Sequence, residues 1–325
     1  IRQEIGDENI HVATIGPAGE KGMPYAIILL DMRAAGRGGM GAVMGSKNLK
    51  AVAVRGTGSV GVPNLLRVFN TAQRLNGIVA TNPGIKGLSE YGTPRNVLSM
   101  NAAGILPTRN WQTEVFSRAE GISGETMKEK VVKGHRACFA CSINCTKYSV
   151  VKDGKYKSII NGPDYETVYG FGSICEVDDI QAICKVDEVC DEYGIDLIQA
   201  AMSVAWAMEC YEKGIFTKAD TGGLDLTWGN ADAMIHLTEM IGKQEGLGAL
   251  LAKGTREAAR IVGKGSERFV ISNKGVDWPG HSARPWPGTA VGYATGPRGG
   301  SHHDIRPTAE KSGLVDRKVL EGKGE

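Results

Sequence analysis

One stretch of the sequence, residues 195–211, constrains the fold more than any other feature because it is apolar on nearly all sides. When these residues are placed on a helix, the alanines, methionines and tryptophan leave no continuous polar face. A helix of this kind is buried in the core of a domain and does not lie on a surface. We therefore predict a helical domain that encloses residues 195–211.

Helical periodicity extends to both sides of this stretch. Apolar residues three and four positions apart predict a helix that begins after Asp178 or Asp179 and ends at Gly194, followed by helices over residues 231–243 and 247–262. A short strand is predicted at residues 269–271, and the helical pattern itself starts near Val62.

The first part of the chain has a different pattern. Short β-like runs at residues 11–15, 26–30 and 49–54 alternate with glycine-rich turns and predict a small sheet. The fold class is therefore α+β and multidomain. We place the domains at residues 1–61 (end of a β-rich domain), 62–271 (helical) and 272–325 (start of a third domain).

Composition excludes several classes of partner. The 325 residues carry 38 basic and 36 acidic side chains without a long basic run, so neither nucleic acid nor an anionic membrane surface is expected. No apolar stretch approaches the roughly 20 residues of a membrane span. Seven cysteines, an odd number in a chain of this length, indicate a reducing compartment and a cytoplasmic protein with a small substrate.

The strongest chemical signal is the spacing Cys138-x-x-Cys141-x-x-x-Cys145. Three thiolates so close in sequence can wrap one soft metal centre within a tight loop. Structural zinc normally takes four ligands, and this spacing matches neither a zinc ribbon nor a bacterial ferredoxin run. An iron–sulfur cluster, zinc and unliganded core cysteines all remain possible from spacing alone.

The run Gly36-Arg37-Gly38-Gly39-Met40-Gly41 matches the dinucleotide fingerprint G-x-G-x-x-G but lacks its context. A Rossmann unit needs a full helix after the third glycine and an acidic residue about 20 positions later. Here the next strand begins near Leu49, and residues 51–63 contain no acid. These glycines instead permit a close backbone approach, either to a phosphate-bearing ligand beside Arg33 and Arg37 or within a plain turn.

Two further groups carry candidate polar residues. Asp191-x-x-Gly194-Ile195-Asp196 joins two predicted helices, where Gly194 and Asp196 also suit simple helix caps. Tyr165 and Glu166 follow the cysteine motif, and His302 follows a glycine-rich loop. A glutamate and a histidine brought together could exchange protons with a substrate.

Longer blocks of sequence resemble the aldehyde ferredoxin oxidoreductase family. They comprise residues 33–51 with the core Arg33-Ala34-Ala35-Gly36-Arg37-Gly38-Gly39-Met40-Gly41, residues 15–20, the cysteine triplet, residues 162–167, the Asp191 motif, residues 208–214 and residues 292–300. The likeness runs in order along essentially the whole chain. It further implies that this chain is a fragment, with part of the pterin-binding base domain before Ile1 and most of domain three after Glu325.

This resemblance implies a cofactor set. Family members hold tungsten, or sometimes molybdenum, between two pterins that are bridged by magnesium, with a 4Fe-4S cluster nearby. Matched by position, the cluster ligands are Cys138, Cys141 and Cys145, and a fourth cysteine lies in a second motif beyond Glu325. The pterin and magnesium contacts are assigned to Arg33, Ala34, Arg37, Gly38, Gly39, Asp191, Gly194, Ile195 and Asp196.

The resemblance also implies an activity. Glu166 and His302 become the proton-transfer candidates, Tyr165 shapes the pocket, and an aldehyde is oxidised to a carboxylic acid with electrons passed to ferredoxin or another electron-transfer protein. A homodimer or a complex with iron–sulfur subunits is compatible with this expectation. Two alternatives stand beside it: a tungsten-dependent aromatic acyl-CoA reductase subunit, and a cofactor-free scaffold or iron–sulfur electron-transfer subunit.

Overall fold

The computed structural model describes residues 1–31 and 33–304, so residues 305–325 of the predicted third domain lie outside the described part. The first element is an antiparallel sheet in the order β3-β2-β1-β4. Its strands and the short helices around them are α1 Arg2–Ile5, β1 His11–Ile15, α2 Pro17–Glu20, β2 Ile28–Leu30, β3 Arg33–Ala35, α3 Met40–Ser46 and β4 Ala51–Val54. Within residues 1–31 and 33–54 the sheet is antiparallel and α3 has seven residues, so the described part of this segment is not a Rossmann unit.

Glycines bring α3 against the sheet and α2. A β-carbon on Gly41 would lie 2.4 Å from the carbonyl oxygen of Ile27, and one on Gly45 would overlap the carbonyl oxygen of Gly19. The backbone of α3 therefore contacts the backbone at Ile27 and at Gly19, where side chains on α3 would otherwise keep them apart. The close backbone approach predicted from this glycine-rich run is confirmed.

The helical part begins with the exposed helix α4, Leu65–Thr81. Helix α4 contains no buried residue, and Asn64 caps its first turn. The elements up to the second sheet are α4 Leu65–Thr81, α5 Pro83–Tyr91, α6 Asn96–Ala102, α7 Gly124–Lys130, β5 Val132–Arg136, β6 Thr146–Val151 and β7 Ser158–Asn161. The last three form an antiparallel sheet in the order β5-β6-β7.

Two consecutive helices form the centre of the core, as the sequence predicts. They follow α8 Tyr165–Phe171 and are α9 Ile180–Tyr193 and α10 Leu197–Glu212. Asp179 caps α9 through the Gln181 N–H at 2.9 Å, and Gly194 ends it in the left-handed region at φ 71°. Almost every residue of α10 is buried, including Trp206 at 0% exposure, so this helix is enclosed on all sides.

The remaining elements correct two predictions. They are α11 Ala231–Lys243, α12 Gly246–Leu251, α13 Thr255–Val262, β8 Ser272–Asn273, β9 Val276–Asp277 and α14 Pro287–Thr295. The single helix predicted over residues 247–262 is two helices, because Gly254 adopts φ 88° and breaks the run. The strand predicted at residues 269–271 is wrong: a 3₁₀ turn covers Ser266–Phe269 and the strand begins at Ser272.

The α+β fold class is confirmed by these helices and sheets. Within residues 1–31 and 33–304, no helix is both long and apolar enough to cross a membrane. The domain limits at residues 61 and 271 stay a prediction. For function, the decisive feature is the seam where the first sheet meets the loop between α9 and α10.

Candidate active site

Two adjoining cavities open along this seam. The first, of about 410 Å³, lies between the first sheet and the α9–α10 loop. The second, of about 620 Å³, lies between the segment after β3, the start of α8 and the loop after α14. Both are bordered by Ala34, Gly36, Arg37, Asp164, Glu166 and Ile198, so they form one continuous site.

The α9–α10 loop is fixed to the first sheet by its backbone. Ile195 pairs with Ala26 as an isolated β-bridge, the Ile27 N–H donates to Gly194 O at 2.9 Å, and the Asp196 N–H donates to Tyr25 O at 3.0 Å. A β-carbon on Gly194 would lie 2.8 Å from the nitrogen of Gly16, so this contact requires glycine. The motif therefore forms a rigid wall of the first cavity.

Asp196 serves as a helix cap and as an ion-pair partner at the same time. Its Oδ1 accepts the Ile198 N–H at 3.0 Å at the start of α10, and its Oδ2 accepts Arg37 Nε at 3.0 Å. The cap confirms the simpler structural reading of this aspartate, and its carboxylate also borders the first cavity.

Arg37 joins three parts of the chain. Besides Asp196, its guanidinium donates through Nη1 to Gly300 O at 2.7 Å and through Nη2 to Asp277 O at 2.8 Å. The side chain is 15% exposed and its donors are used within the protein. Arg37 therefore fixes the shape of the site and borders both cavities.

Among the carboxyl groups that border the first cavity, Asp187 is buried, whereas Asp164 and Asp191 are exposed. Burial, followed by the charges of Asp191 and Asp164, raises the pKa of Asp187 well above its usual range. Asp191 is exposed at the cavity, and the protein atoms around its carboxylate, which replace part of its water, raise its pKa to about 6. The protein atoms around Asp164 raise its pKa in the same way. These groups favour partners that donate hydrogen bonds.

A glutamate and two histidines meet in the second cavity. His281 Nε2 lies 3.2 Å and His302 Nε2 3.9 Å from Glu166 Oε1, and the Gly280 N–H donates to Glu166 Oε2 at 2.8 Å. Glu166, His281 and His302 each offer one nitrogen or oxygen atom of the kind that binds metals, and these three atoms all lie within 4.8 Å of one another. Among the residues that the structure describes, no other such group of His, Cys, Asp or Glu side chains is found. The structure thus brings together Glu166 and His302, which lie far apart in sequence.

Glu166 and His302 differ in charge. Burial alone raises the pKa of Glu166, but the His281 imidazole at 3.2 Å, the charge of His302 and the Gly280 N–H outweigh burial and lower the pKa to about 2. Burial lowers the pKa of His302 to about 3, although Glu166 opposes the shift. At neutral pH the site therefore contains a carboxylate beside a neutral His302 imidazole.

Tyr165 lies next to Glu166 and contacts the loop that carries Gly280 and His281. Its hydroxyl donates to Gly280 O at 2.7 Å, its backbone N–H donates to Thr93 Oγ1 at 2.8 Å, and its ring lies 5.6 Å from that of His281. Tyr165 is 4% exposed and also borders the second cavity. It therefore holds the Gly280 loop against α8.

The three cysteines lie on the loop that joins β5 and β6. Cys138 is exposed, Cys141 and Cys145 are half-buried, and the Cys141 N–H donates to Cys138 O at 3.0 Å in a tight turn. Burial, followed by the charge of Asp164, raises the pKa of Cys145, and the Arg33 charge opposes the shift. Arg33 donates to the hydroxyl of Thr146 and borders the first cavity, so it connects the cysteine loop to the site.

The predicted site residues fall into three groups. Those on the cavity walls are Arg33, Ala34, Arg37, Tyr165, Glu166, Asp191, Ile195, Asp196 and His302. Gly38, Gly39 and Gly194 lie behind the walls as turns at positive φ, and the cysteines lie beyond Arg33. The sequence reasoning missed His281, which no motif marks, and Asp187, whose spacing of four from Asp191 on a helix was an available signal.

Comparison with known proteins identifies the family. A model described as aldehyde ferredoxin oxidoreductase, N-terminal domain, matches residues 1–56, and one described as aldehyde ferredoxin oxidoreductase, domains 2 and 3, matches residues 70–325. Together these matches cover most of the chain. The chain belongs to the aldehyde ferredoxin oxidoreductase family.

Relatives of known name agree with this assignment. The chain is 37% identical over 305 residues to the tungsten-containing aldehyde ferredoxin oxidoreductase of Thermococcus kodakarensis, covering 93% of this chain and 50% of that protein. It is 33% identical over 298 residues to the aliphatic sulfonate oxidoreductase, WOR-like subunit, of Pyrococcus furiosus, covering 89% and 47%. The chain thus spans about half the length of the curated relatives it matches.

A solved structure shares the fold. It is the active site complex BamBC of benzoyl coenzyme A reductase in complex with 1,5-dienoyl-CoA, with a TM-score of 0.76 and 24% identity. The match covers 91% of this chain and 47% of that one.

Proposed function

We propose that this chain is part of a tungsten or molybdenum bis-pterin oxidoreductase that oxidises a small aldehyde to a carboxylic acid. Its electrons leave through a 4Fe-4S cluster to ferredoxin or another electron-transfer protein, in the cytoplasm. The observation that carries the proposal is the Glu166–His302 pair at the edge of the cavity between the glycine-rich segment and the Asp191 motif.

The residues around the first cavity suit a pterin. A pterin carries N–H donors along its pyrimidine edge, and the carboxyl groups of Asp187 and Asp191, which border the cavity, offer acceptor oxygens to such donors. Asn161 Oδ1 is a buried acceptor without a hydrogen-bond partner among the described residues and borders the same cavity. A donor-bearing ligand at this place satisfies polar atoms that the protein leaves unpaired.

The phosphate end of such a cofactor suits the opposite wall. Arg33 borders the cavity, and the backbone of Ala34 and Gly36 lies beside it. Positive charge and backbone N–H groups are what a phosphate requires. The family resemblance implies that magnesium would bridge the two pterins. When bound, the metal bis-pterin supplies two-electron redox chemistry.

Glu166 and His302 have protonation states that suit aldehyde oxidation. Glu166 is ionised, so it can take a proton from water or from the aldehyde hydrate. His302 is neutral, and its buried Nδ1 lacks a hydrogen-bond partner among the described residues. A neutral imidazole with one unpaired nitrogen can hydrogen-bond the carbonyl oxygen as negative charge develops there.

Cys138, Cys141 and Cys145 are the proposed cluster ligands on this chain. Thiolates on a short loop are the usual ligands of iron–sulfur clusters. Arg33 contacts Thr146, the neighbour of Cys145, and also borders the first cavity. Arg33 would therefore lie between a bis-pterin held in the cavity and a cluster held by the cysteine loop.

The test uses the full-length protein purified without oxygen. Aldehyde-dependent reduction of a viologen dye is measured for the wild type, for Glu166→Gln and for Glu239→Gln, a surface control that also faces a histidine. We expect Glu166→Gln to lower kcat by about 10²–10⁴-fold because it removes the base, with tungsten content unchanged. Glu239→Gln should match the wild type.

Other results would redirect the proposal. Equal rates for Glu166→Gln and wild type would refute the role of Glu166. Reduction of an aromatic acyl-CoA thioester, without aldehyde oxidation, would keep the cofactor and change the reaction. Zinc without pterin would indicate a scaffold or electron-transfer subunit.

A further inference from the structure

His281 is the nearest cationic candidate to the proposed base Glu166. Its Nε2 lies 3.2 Å from Glu166 Oε1, compared with 3.9 Å for His302, and its side chain is 14% exposed. The Glu166 side chain is 19% exposed, and a carboxylate that is largely withdrawn from water is disfavoured unless a positive charge or hydrogen-bond donors compensate for the lost hydration. Something in the site must therefore keep Glu166 ionised.

The Gly280 N–H supplies part of this compensation, and the other groups that face Glu166 supply less than His281. Arg37 acts on Glu166 through its charge but directs its hydrogen bonds to Asp196, Gly300 and Asp277. Asp164 is a like charge beside it, and Tyr165, Tyr169 and Tyr293 are buried phenols whose pKa values burial raises first and the Glu166 charge raises further. His302 remains neutral at physiological pH because burial lowers its pKa to about 3.

The loop that carries His281 is fixed against Glu166. The Gly280 N–H donates to Glu166 Oε2 at 2.8 Å, and the hydroxyl of Tyr165 donates to Gly280 O at 2.7 Å. On the far side, the hydroxyl of Tyr293 donates to His281 O at 3.1 Å. The backbone therefore places the imidazole against the carboxylate within narrow limits.

We propose that His281 is a positioning residue that acts through Glu166: its imidazolium pairs with Oε1, keeps the buried carboxylate ionised and points it into the cavity. His302 is left to contact the substrate. His281 thus positions the base Glu166, and His302 faces the reacting oxygen. The expected effect on kcat rests on the proposed function. The expected effect on the protonation of Glu166 rests on geometry alone.

The first readout is independent of turnover. In the full-length holoenzyme, infrared difference spectra follow the carbonyl band of a protonated carboxylic acid during a pH titration, and Glu166→Gln assigns the band. Removing a positive partner at this distance should raise the pH at which the band appears by roughly 1–3 units in His281→Ala. His281→Gln retains a polar side chain without the charge and should shift in the same direction.

The second readout is kinetic. A displaced carboxylate should lower kcat for aldehyde oxidation by about 10²-fold with KM little changed, and the acid limb of the pH profile should move upward. His236→Gln is the matched control because His236 faces Glu239 at 3.8 Å on the exposed side of α11. It should leave both readouts unchanged.

The outcomes separate the two proposals. A shifted infrared midpoint without aldehyde activity in the wild type supports the role of His281 and refutes the proposed reaction. If His281→Ala does not fold, His281→Gln decides. An unchanged midpoint and an unchanged acid limb in the folded variant would overturn the inference.

Discussion

Replacing Arg37 by methionine tests how the site is held together. The side chains of Arg37 and Asp196 are 15% and 5% exposed, so their pair lies almost outside solvent. The substitution preserves most of the apolar stem but removes three contacts: the ion pair with Asp196 and the donors to Gly300 O and Asp277 O. It leaves a buried carboxylate and two buried carbonyl groups without their partner.

The burial of the Arg37–Asp196 pair sets how much free energy of unfolding the substitution removes. Breaking a buried ion pair by removing one partner costs about 3–5 kcal/mol, mainly because the remaining charge stays buried. The pair of Arg55 with Asp7 is the matched comparison, since those side chains are 45% and 31% exposed. An exposed pair contributes little to stability because water and salt screen its charges. We therefore expect Arg37→Met to cost several times as much as Arg55→Met.

Denaturant unfolding monitored by tryptophan fluorescence measures both variants against the wild type. The midpoint should fall strongly for Arg37→Met and hardly for Arg55→Met, with an unchanged slope. Equal losses in the two variants would refute the reasoning, because they would mean that burial does not set the contribution of the pair.

Three further predictions concern stability and iron content. Gly194→Ala should destabilise the protein by more than the ~1 kcal/mol of a strained left-handed alanine, because its β-carbon would also meet the nitrogen of Gly16 at 2.8 Å. The free energy of unfolding should fall as pH rises from about 4 to about 7, because burial raises the pKa of Asp277 to about 7 and the folded state then binds the extra proton; Asp277→Asn should flatten this slope. Cys141→Ser should lower the iron content of the anaerobically purified full-length protein, measured by elemental analysis.

Each of these has a matched control. Gly6→Ala has the same sign of φ at 72° with nothing within 4 Å, so it should show the strain alone, and equal losses would contradict the steric argument. Asp153→Asn, on the surface, should leave the pH slope as it is, and a slope unaffected by Asp277→Asn would exclude that residue as its source. Cys175→Ala, in the core, should retain iron; loss in this variant alone would contradict the proposed ligands.

Local patterns in the sequence were sufficient for the central helices. The period of apolar residues predicts α9 and α10, because this signal acts within a few residues. The caps at Asp179 and Gly194 set the two ends of α9, and Asp196 caps the start of α10. The break at Gly254 was missed because the apolar period continues across it, although a glycine at that point allows the positive φ that separates α12 from α13.

The site was only partly accessible from sequence. The family resemblance singled out Glu166 and His302, whereas nothing local marks His281. Its loop reaches Glu166 across 114 positions, counted from Gly280, and that contact exists only after α8 and the loop after β9 pack together. Long-range packing of this kind leaves no periodic trace in the sequence. The roles assigned to the individual site residues remain predictions.

The most direct test of the central claim is X-ray diffraction from crystals of the anaerobically purified full-length protein, recorded on both sides of the tungsten absorption edge. The account predicts a strong anomalous peak in the cavity bordered by Ala34, Glu166 and Asp196, with density for two pterins around it. A cavity without tungsten or molybdenum signal and without pterin density would contradict it.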